Sequence, residues 1–454
     1  MKNFVAAFSL AAWMAVGSGA FSARAADPPP TYVVQSGRQP GQIDRVVIVL
    51  EVAGDHLEKN NEGSNRVAMS GAANLSYDEK NLDVAATPEG HLRSARSYDK
   101  AEAIIKVGEA SSKPALRPER RLIAVDLEGY KATLFSPRGL LTDEEMDLID
   151  VSGNTLLLDQ VLPSKPAAVG EKWKLSEKLL AALLGLDDVR HSDVECLLKE
   201  VTPALARMEL AGHVSGTANG AASEIDLKAK CRFDRKTNRI DWFAMLIGDK
   251  REISPVEYGL DVVARVQIRI SPKAESAPLA ETATKDIPAK PTAEMCQLLY
   301  QPADRGWQVT HDRGWFLVDS RHDLAVMRLM AQGTDVAQCN ISPLPKVAVD
   351  KLPTLPQFQN DVQHSLGKNF GQFVEAGQSV NEAKNRVYRV LVNGEVSEVP
   401  IRWQYYLVAD EEGRQVAFTF TVKAQNLEAF GKAGDRLVDS LRFLDAQPAG
   451  VEKK

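Results

Sequence analysis

The strongest constraint on what this chain can fold into is a strict alternation of side-chain character from Glu224 to Phe233. Ile225, Leu227, Ala229, Cys231 and Phe233 share one parity, and Glu224, Asp226, Lys228, Lys230 and Arg232 share the other. An extended strand, whose successive side chains point to opposite faces, turns that pattern into one dry and one wet surface. The same period recurs at Val46, Ile48, Leu50 and Val52, at Ala206, Met208 and Leu210, at Ile240, Trp242, Ala244 and Leu246, and from Leu260 through Val262, Ala264, Val266 and Ile268 to Ile270. With turns at Gly216 to Gly220 and Lys236 to Asn238, the region Asp193 to Ile270 reads as an antiparallel meander of five strands. Residues 31–272 are therefore expected to form a β-rich unit, an antiparallel sheet curled into a half-barrel.

Two helices interrupt this pattern. Thr142-Asp143-Glu144-Glu145 is a capping box, in which the Thr hydroxyl and the Glu three residues on each satisfy an exposed backbone N–H. Ser176 opens a second helix in which Leu179, Leu180, Leu183, Leu184 and Leu186 make more than one face apolar. Such a helix has to be buried, and its expected place is across the mouth of the half-barrel. Leu179, Leu180, Leu183 and Leu184 are accordingly the candidate lining of an apolar pocket.

Residues 273–293 are rich in Ala, Pro, Thr and charge and lack any aromatic residue, the composition of an extended, solvated linker. Beyond it, residues 294–445 alternate four short strands, a helix capped by Thr354 with Phe358, Val362, Leu366 and Phe370 every four residues, four further strands, and a last helix from Asn426. The expected fold class is thus α+β: an N-terminal curled antiparallel sheet or half-barrel with helices, followed by a C-terminal sandwich of sheet and helices.

The first residues give an address. Lys2, an apolar run from Phe4 to Phe21 and the small-x-small triplet Ala23-Arg24-Ala25 have the form of a signal peptide over residues 1–25. Cleavage after Ala25 would leave a periplasmic or secreted chain with no later stretch apolar and long enough to span a membrane. An even number of cysteines in an exported chain reads as disulfides, and the division into two units favours Cys196 with Cys231 and Cys296 with Cys339. In a simple meander, however, one strand stands between Cys196 and Cys231, and neighbour-but-one strands lie about 9 to 10 Å apart.

The net charge of -6, from 55 basic and 61 acidic residues, argues against a nucleic-acid partner. None of the seven histidines stands at a metal-ligand spacing, no nucleophile elbow or phosphate loop occurs, and no cofactor or metal is expected. Asp143, Glu144 and Glu145 fall in the first turn of a helix, where the macrodipole favours negative charge.

The run Trp403 to Phe443 contains a strand with an aromatic pair, a turn at Gly413, the aromatic strand Phe418-Thr419-Phe420, and a helix ending Arg436-Leu437-Val438-Asp439-Ser440-Leu441-Arg442-Phe443. In these features the C-terminal unit resembles PsbP-like and LpqN-type domains. That resemblance implies an α/β/α sandwich and a binding or assembly role without a catalytic motif. Leu141 to Asp147 and Leu162 to Trp173 resemble segments of uncharacterised exported bacterial proteins, and the N-terminal unit is similar to curled-sheet lipoprotein carriers, which implies acyl-chain binding inside a half-barrel. The functional expectation is an exported, non-catalytic two-domain protein that binds an apolar small molecule or an envelope protein. The alternative is an envelope hydrolase whose site is assembled from distant residues. Ligand identity and oligomeric state are not encoded in any motif.

Overall fold

The computed structural model describes residues 29–60, 63–84, 90–302 and 306–444, so the signal-peptide segment 1–25 lies outside the described residues. The dominant element is a 13-stranded antiparallel sheet. Its central order runs from Lys131–Phe135 through Leu122–Glu128, His91–Val107, Gly63–Asp83, Ile43–Asn60, Gly259–Lys273, Arg239–Arg251, Ala221–Asp234 and Leu205–Ala218 to Glu195–Val201 and Lys172–Lys174. The five strands of the expected meander are consecutive neighbours in it.

The sheet curls around a core formed by one parity of these strands. Val46, Ile48, Leu75, Tyr77, Met208, Ile225, Phe233, Phe243 and Ile268 all point inward and are buried. Helices Asp143–Ile149, Thr155–Leu158 and Glu177–Leu184 close over that core. The first carries the full Thr142/Glu145 capping box, and the third starts at Ser176 and ends on the left-handed Gly185. Gly212 allows a tight crossing: with φ +156, a Cβ there would lie 2.5 Å from Val194 Cα, so only glycine lets the chain between two edge strands pass over it.

A second, seven-stranded antiparallel sheet follows the order Trp315–Arg321, Leu324–Ala331, Thr334–Leu344, Gln415–Lys423, Val399–Ala409, Arg386–Val396 and Phe370–Val380. Helix Leu355–Leu366, with its Thr354 capping box, packs Val362 and Leu366 against Val390, Val392 and Trp403. On the opposite side, Phe430, Leu437 and Val438 of the last two short helices meet Trp315, Phe418 and Phe420.

The α+β class expected from the sequence is corrected here. The chain is mostly β, 55% strand against 17% helix, with large antiparallel sheets rather than a sandwich of helices on sheet, and with no closed barrel. The physical reason is strand length. Ile43–Asn60, Gly63–Asp83 and His91–Val107 run for 18, 21 and 17 residues, because charged and small residues on their wet parity leave the alternation intact where the apolar pattern alone breaks off. Strands of that length build an open, strongly curved sheet that needs few helices to cover it.

Residues 273–293 also differ from the solvated stretch their composition suggests. Leu279 and Ile287 are buried against Ala95, Leu122, Ala124 and Phe135, on the side of the sheet opposite the main core. Ser276 Oγ donates to Asp78 at 2.7 Å, and Lys80 and Arg93 donate to the carbonyls of Leu279 and Pro288. Two isolated apolar residues in a polar segment suffice to pin it as a strap. A small three-stranded sheet, Leu298–Tyr300, Trp307–His311 and Arg442–Phe443, stands beside the long one: Leu299 N donates to Leu141 O at 2.8 Å, and Arg313, just after the second of its strands, donates to the carbonyls of Cys296 and of Leu134 on the long sheet.

Candidate functional site

Leu179, Leu180, Leu183 and Leu184 are all buried in the main core, and none of them lines the grooves described below. The helix that carries them packs directly on the sheet. All four cysteines are free thiols in this structure. Cys196 lies opposite Leu210 and Cys231 opposite Met208, so the strand Leu205–Ala218 stands between them, the separation that the meander implied. Burial raises the Cys196 thiol to about 12 and pushes Cys231 and Cys339 well up, which removes thiolate character from all three. Cys296, in a short turn near Arg313, is likewise raised by burial.

One group of ionisable residues lies on the inner side, and a second on the exposed side of a helix that covers it. Glu79 and Arg96, paired across neighbouring strands, are each 3% exposed and joined at 2.8 Å. Ser94 and Thr155 also donate to the Glu79 carboxylate at 2.8 and 2.7 Å, while Arg96 reaches Asn154 and Thr155. Burial opposes ionisation of Glu79, but the charges of Arg96 and Arg38 and the hydrogen bonds from Thr155 and Arg96 hold its carboxyl below the ordinary glutamate range. Arg38 extends the network to Asp159, Asn81 and Thr155 O. The network ties helix Thr155–Leu158 to the sheet; every atom of the Glu79 carboxylate is engaged by protein.

The second group surrounds helix Asp143–Ile149. Asp147 is exposed at its surface, yet the protein around its base, and then the charges of Asp143, Glu257, Asp150 and Glu144, raise its carboxyl to about 6. His311, fully buried, places Nε2 at 3.3 Å from Asp143 Oδ2, in a geometry too bent for a hydrogen bond. Among the described residues no group of three or more His, Cys, Asp or Glu is arranged to hold a metal ion.

The open concavity lies on the other face. Cross-strand register places Arg207, Arg232, Trp242, Arg269 and Val47 in one row of wet-parity residues across five strands. The next row holds Glu209, Lys230, Ala244 and Gln267, and the third Ala211, Lys228, Leu246 and Arg265. Twist and the bulge between Arg232 and Phe233 bend this face into a groove of about 1020 Å³. A shallower groove of about 440 Å³ continues it, sharing Glu209, Lys230 and Trp242 as lining and floored by Ala211, Ala244 and Leu246. Trp242 is half-buried, and Leu246 is 44% exposed.

The sequence put Trp242, Ala244 and Leu246 on one face of a strand but assigned that face to the core. The bulge between Arg232 and Phe233 reverses the parity: Trp242 lies opposite the exposed Arg232, while Phe243, Met245 and Ile247 point inward. No pattern in the sequence marks such a bulge. A hint was available in the next strand, where Lys228, Lys230 and Arg232 show which neighbours are wet.

No protein-family model matches this chain, and no curated protein does. Among solved structures it is similar to the cyanobacterial PsbP of Synechocystis, with 13% identity, 32% of this chain and 92% of that chain covered, and a TM-score of 0.27. It is also similar to a Pseudomonas aeruginosa protein of unknown function, with 11% identity, 34% and 98% covered, and a TM-score of 0.23. Lipovitellin gives 11% identity over 53% of this chain at a TM-score of 0.29, and the match spans about a quarter of lipovitellin, 26%. All three scores are low, so the functional reading rests on this chain's own residues. Among the described residues no helix is long and apolar enough to cross a membrane.

Proposed function

We propose that this chain is a non-catalytic binding protein of the cell envelope, taking an apolar ligand or an envelope protein on the outward face of the long sheet. The observation that supports this reading is the continuous groove over Trp242, Ala244 and Leu246, an apolar floor left open on a face whose remaining surface is charged. The ionisable cluster of the inner face favours a scaffold role over chemistry, since Glu79 and Arg96 spend their hydrogen-bonding capacity on each other, Ser94, Asn154 and Thr155. The signal-like first 25 residues support an envelope address.

The test is native mass spectrometry of the mature protein purified from its own envelope, followed by denaturing extraction. A bound mass that disappears in a Trp242→Asp/Leu246→Asp variant is the expected result. A clean mass for the unmodified protein, with crosslinks to neighbouring proteins unaffected by the same variant, would overturn the reading.

A further inference from the structure

Taking the binding reading as given, we infer that the outward groove selects an anionic amphiphile: a carboxylate or phosphate head held by Arg269 and Lys230, with its apolar chain lying along Ala244 and Leu246. The first argument is charge. The chain as a whole carries -6, yet the two continuous grooves are lined by nine basic and four acidic residues; Arg45, Arg239 and Arg265 pair with acids beyond the lining, Asp78 and Asp99, Asp44 and Glu51, and the remaining six cations still outnumber the four carboxylates.

The second argument is which of those cations are free. Arg207 and Arg232 are committed to Glu200 and Asp241 at 2.8 and 2.7 Å. Lys199 and Lys230 share the single carboxylate of Glu209 at 3.8 and 4.0 Å, too far for a hydrogen bond. Arg269 makes no hydrogen bond or ion pair with any described residue, and it lies directly opposite Trp242 on the neighbouring strand. An exposed guanidinium with unspent donors beside a half-buried indole is suited to a planar or tetrahedral oxyanion.

The third argument is the adjacent apolar strip. Successive wet-parity rows are about 7 Å apart, so the strip of Ala244 and Leu246 begins one row from Arg269 and extends through the next, with Lys228 standing between Leu246 and Ala211. A compact anion would use the arginine row and leave this strip bare. An anion with a chain uses both, gaining about 25 cal/mol for each Å² of apolar surface it covers.

The decisive experiment titrates the full-length mature protein, by calorimetry at neutral pH and low salt, with three probes: laurate, dodecyltrimethylammonium of the same chain length, and acetate. Laurate binding with little heat from the other two is the expected pattern. Arg269→Glu/Lys230→Glu is expected to weaken laurate about tenfold, and Leu246→Asp by a similar factor, with unchanged circular dichroism. Equal binding of laurate and dodecyltrimethylammonium, sensitive to Leu246→Asp alone, would overturn the anionic head while leaving the groove a binding site. Laurate binding indifferent to all these substitutions, or no laurate binding, would overturn the inference outright. The probe comparison on the unmodified protein keeps the test decisive if a charge-reversed variant misfolds. The wider binding reading is judged separately, by the mass of what the protein carries from its own envelope.

Discussion

The two faces of the long sheet are made from alternate residues of the same strands, and their polar groups meet opposite fates. On the inner face Glu79, Arg96, Ser94 and Thr155 are buried and bonded to one another. On the outer face Arg269 and Lys228 are exposed and have no partner among the described residues, beside the exposed Leu246. A buried polar group left unpaired costs about 1 to 3 kcal/mol, and these four side chains meet that demand among themselves, which leaves them no capacity for a ligand. An exposed charge costs almost nothing to leave free, so unspent donors accumulate outside. Stability and the proposed recognition thereby fall on different parities of the same sequence.

Breaking the inner network is the harshest test of this division. Glu79→Ala leaves Arg96 charged and buried, and about 3 to 5 kcal/mol of stability should be lost in urea unfolding. The same pair predicts acid sensitivity. Because the folded carboxyl titrates below its ordinary value of 4.5, its contribution is present above that pH and disappears as pH falls through the lower folded value. A midpoint that barely moves in Glu79→Ala would mean that the network is incidental. Leu180→Ala, at 1% exposure in the same core, should cost about 3 kcal/mol. A much smaller loss would reveal slack beneath the helix and restore the inner side as a place for a ligand.

How much of this division could be read from residue order depends on the strand. Glu224 to Phe233 alternates without a fault, and its strand, Ala221–Asp234, has the expected dry and wet sides throughout. The capping box at Thr142 and the cap at Thr354 were equally plain, since a cap is a local pairing of side chain with backbone; the partner Gln357 that completes a box at Thr354 came from the structure. The Glu79/Arg96 pair was invisible because it joins residues 17 apart across a register that only the folded hairpin fixes. Trp242 was assigned to the wrong side because one bulge reverses every side chain beyond it. Mostly helix-free architecture was missed for a related reason: small and charged residues from Asn60 to Val107 conceal strands whose inner parity is still Ala73, Leu75 and Tyr77.

Asp147 sharpens the boundary between the two environments, since its helix buries Met146, Leu148 and Ile149 while its own side chain is exposed. Its carboxyl is raised to about 6 from 3.8, so its ionised form opposes folding. Asp147→Asn should therefore raise the melting temperature above pH 6. The gain should shrink as pH falls from about 6 and vanish below about 4, where the carboxyl is protonated in folded and unfolded chains alike. Thermal unfolding across pH 4 to 7.5 checks this; a gain independent of pH would mean that packing rather than charge is responsible.

The smallest expected effect falls on the outer face, where it carries the most meaning. Leu246→Ala removes a side chain that is 44% exposed and borders a groove open to solvent, so unfolding should shift by no more than about 0.5 kcal/mol. Arg269→Ala, which breaks no ion pair or hydrogen bond with a described residue, should do no more. Near-neutral stability together with weakened laurate binding would place these residues in recognition alone. A loss above about 1 kcal/mol from either substitution, measured by urea unfolding, would show that the outer parity also supports the sheet. The groove would then be a working part of the scaffold, and a change in ligand affinity at Leu246 or Arg269 would no longer separate contact with the ligand from the shape of the strand that carries it.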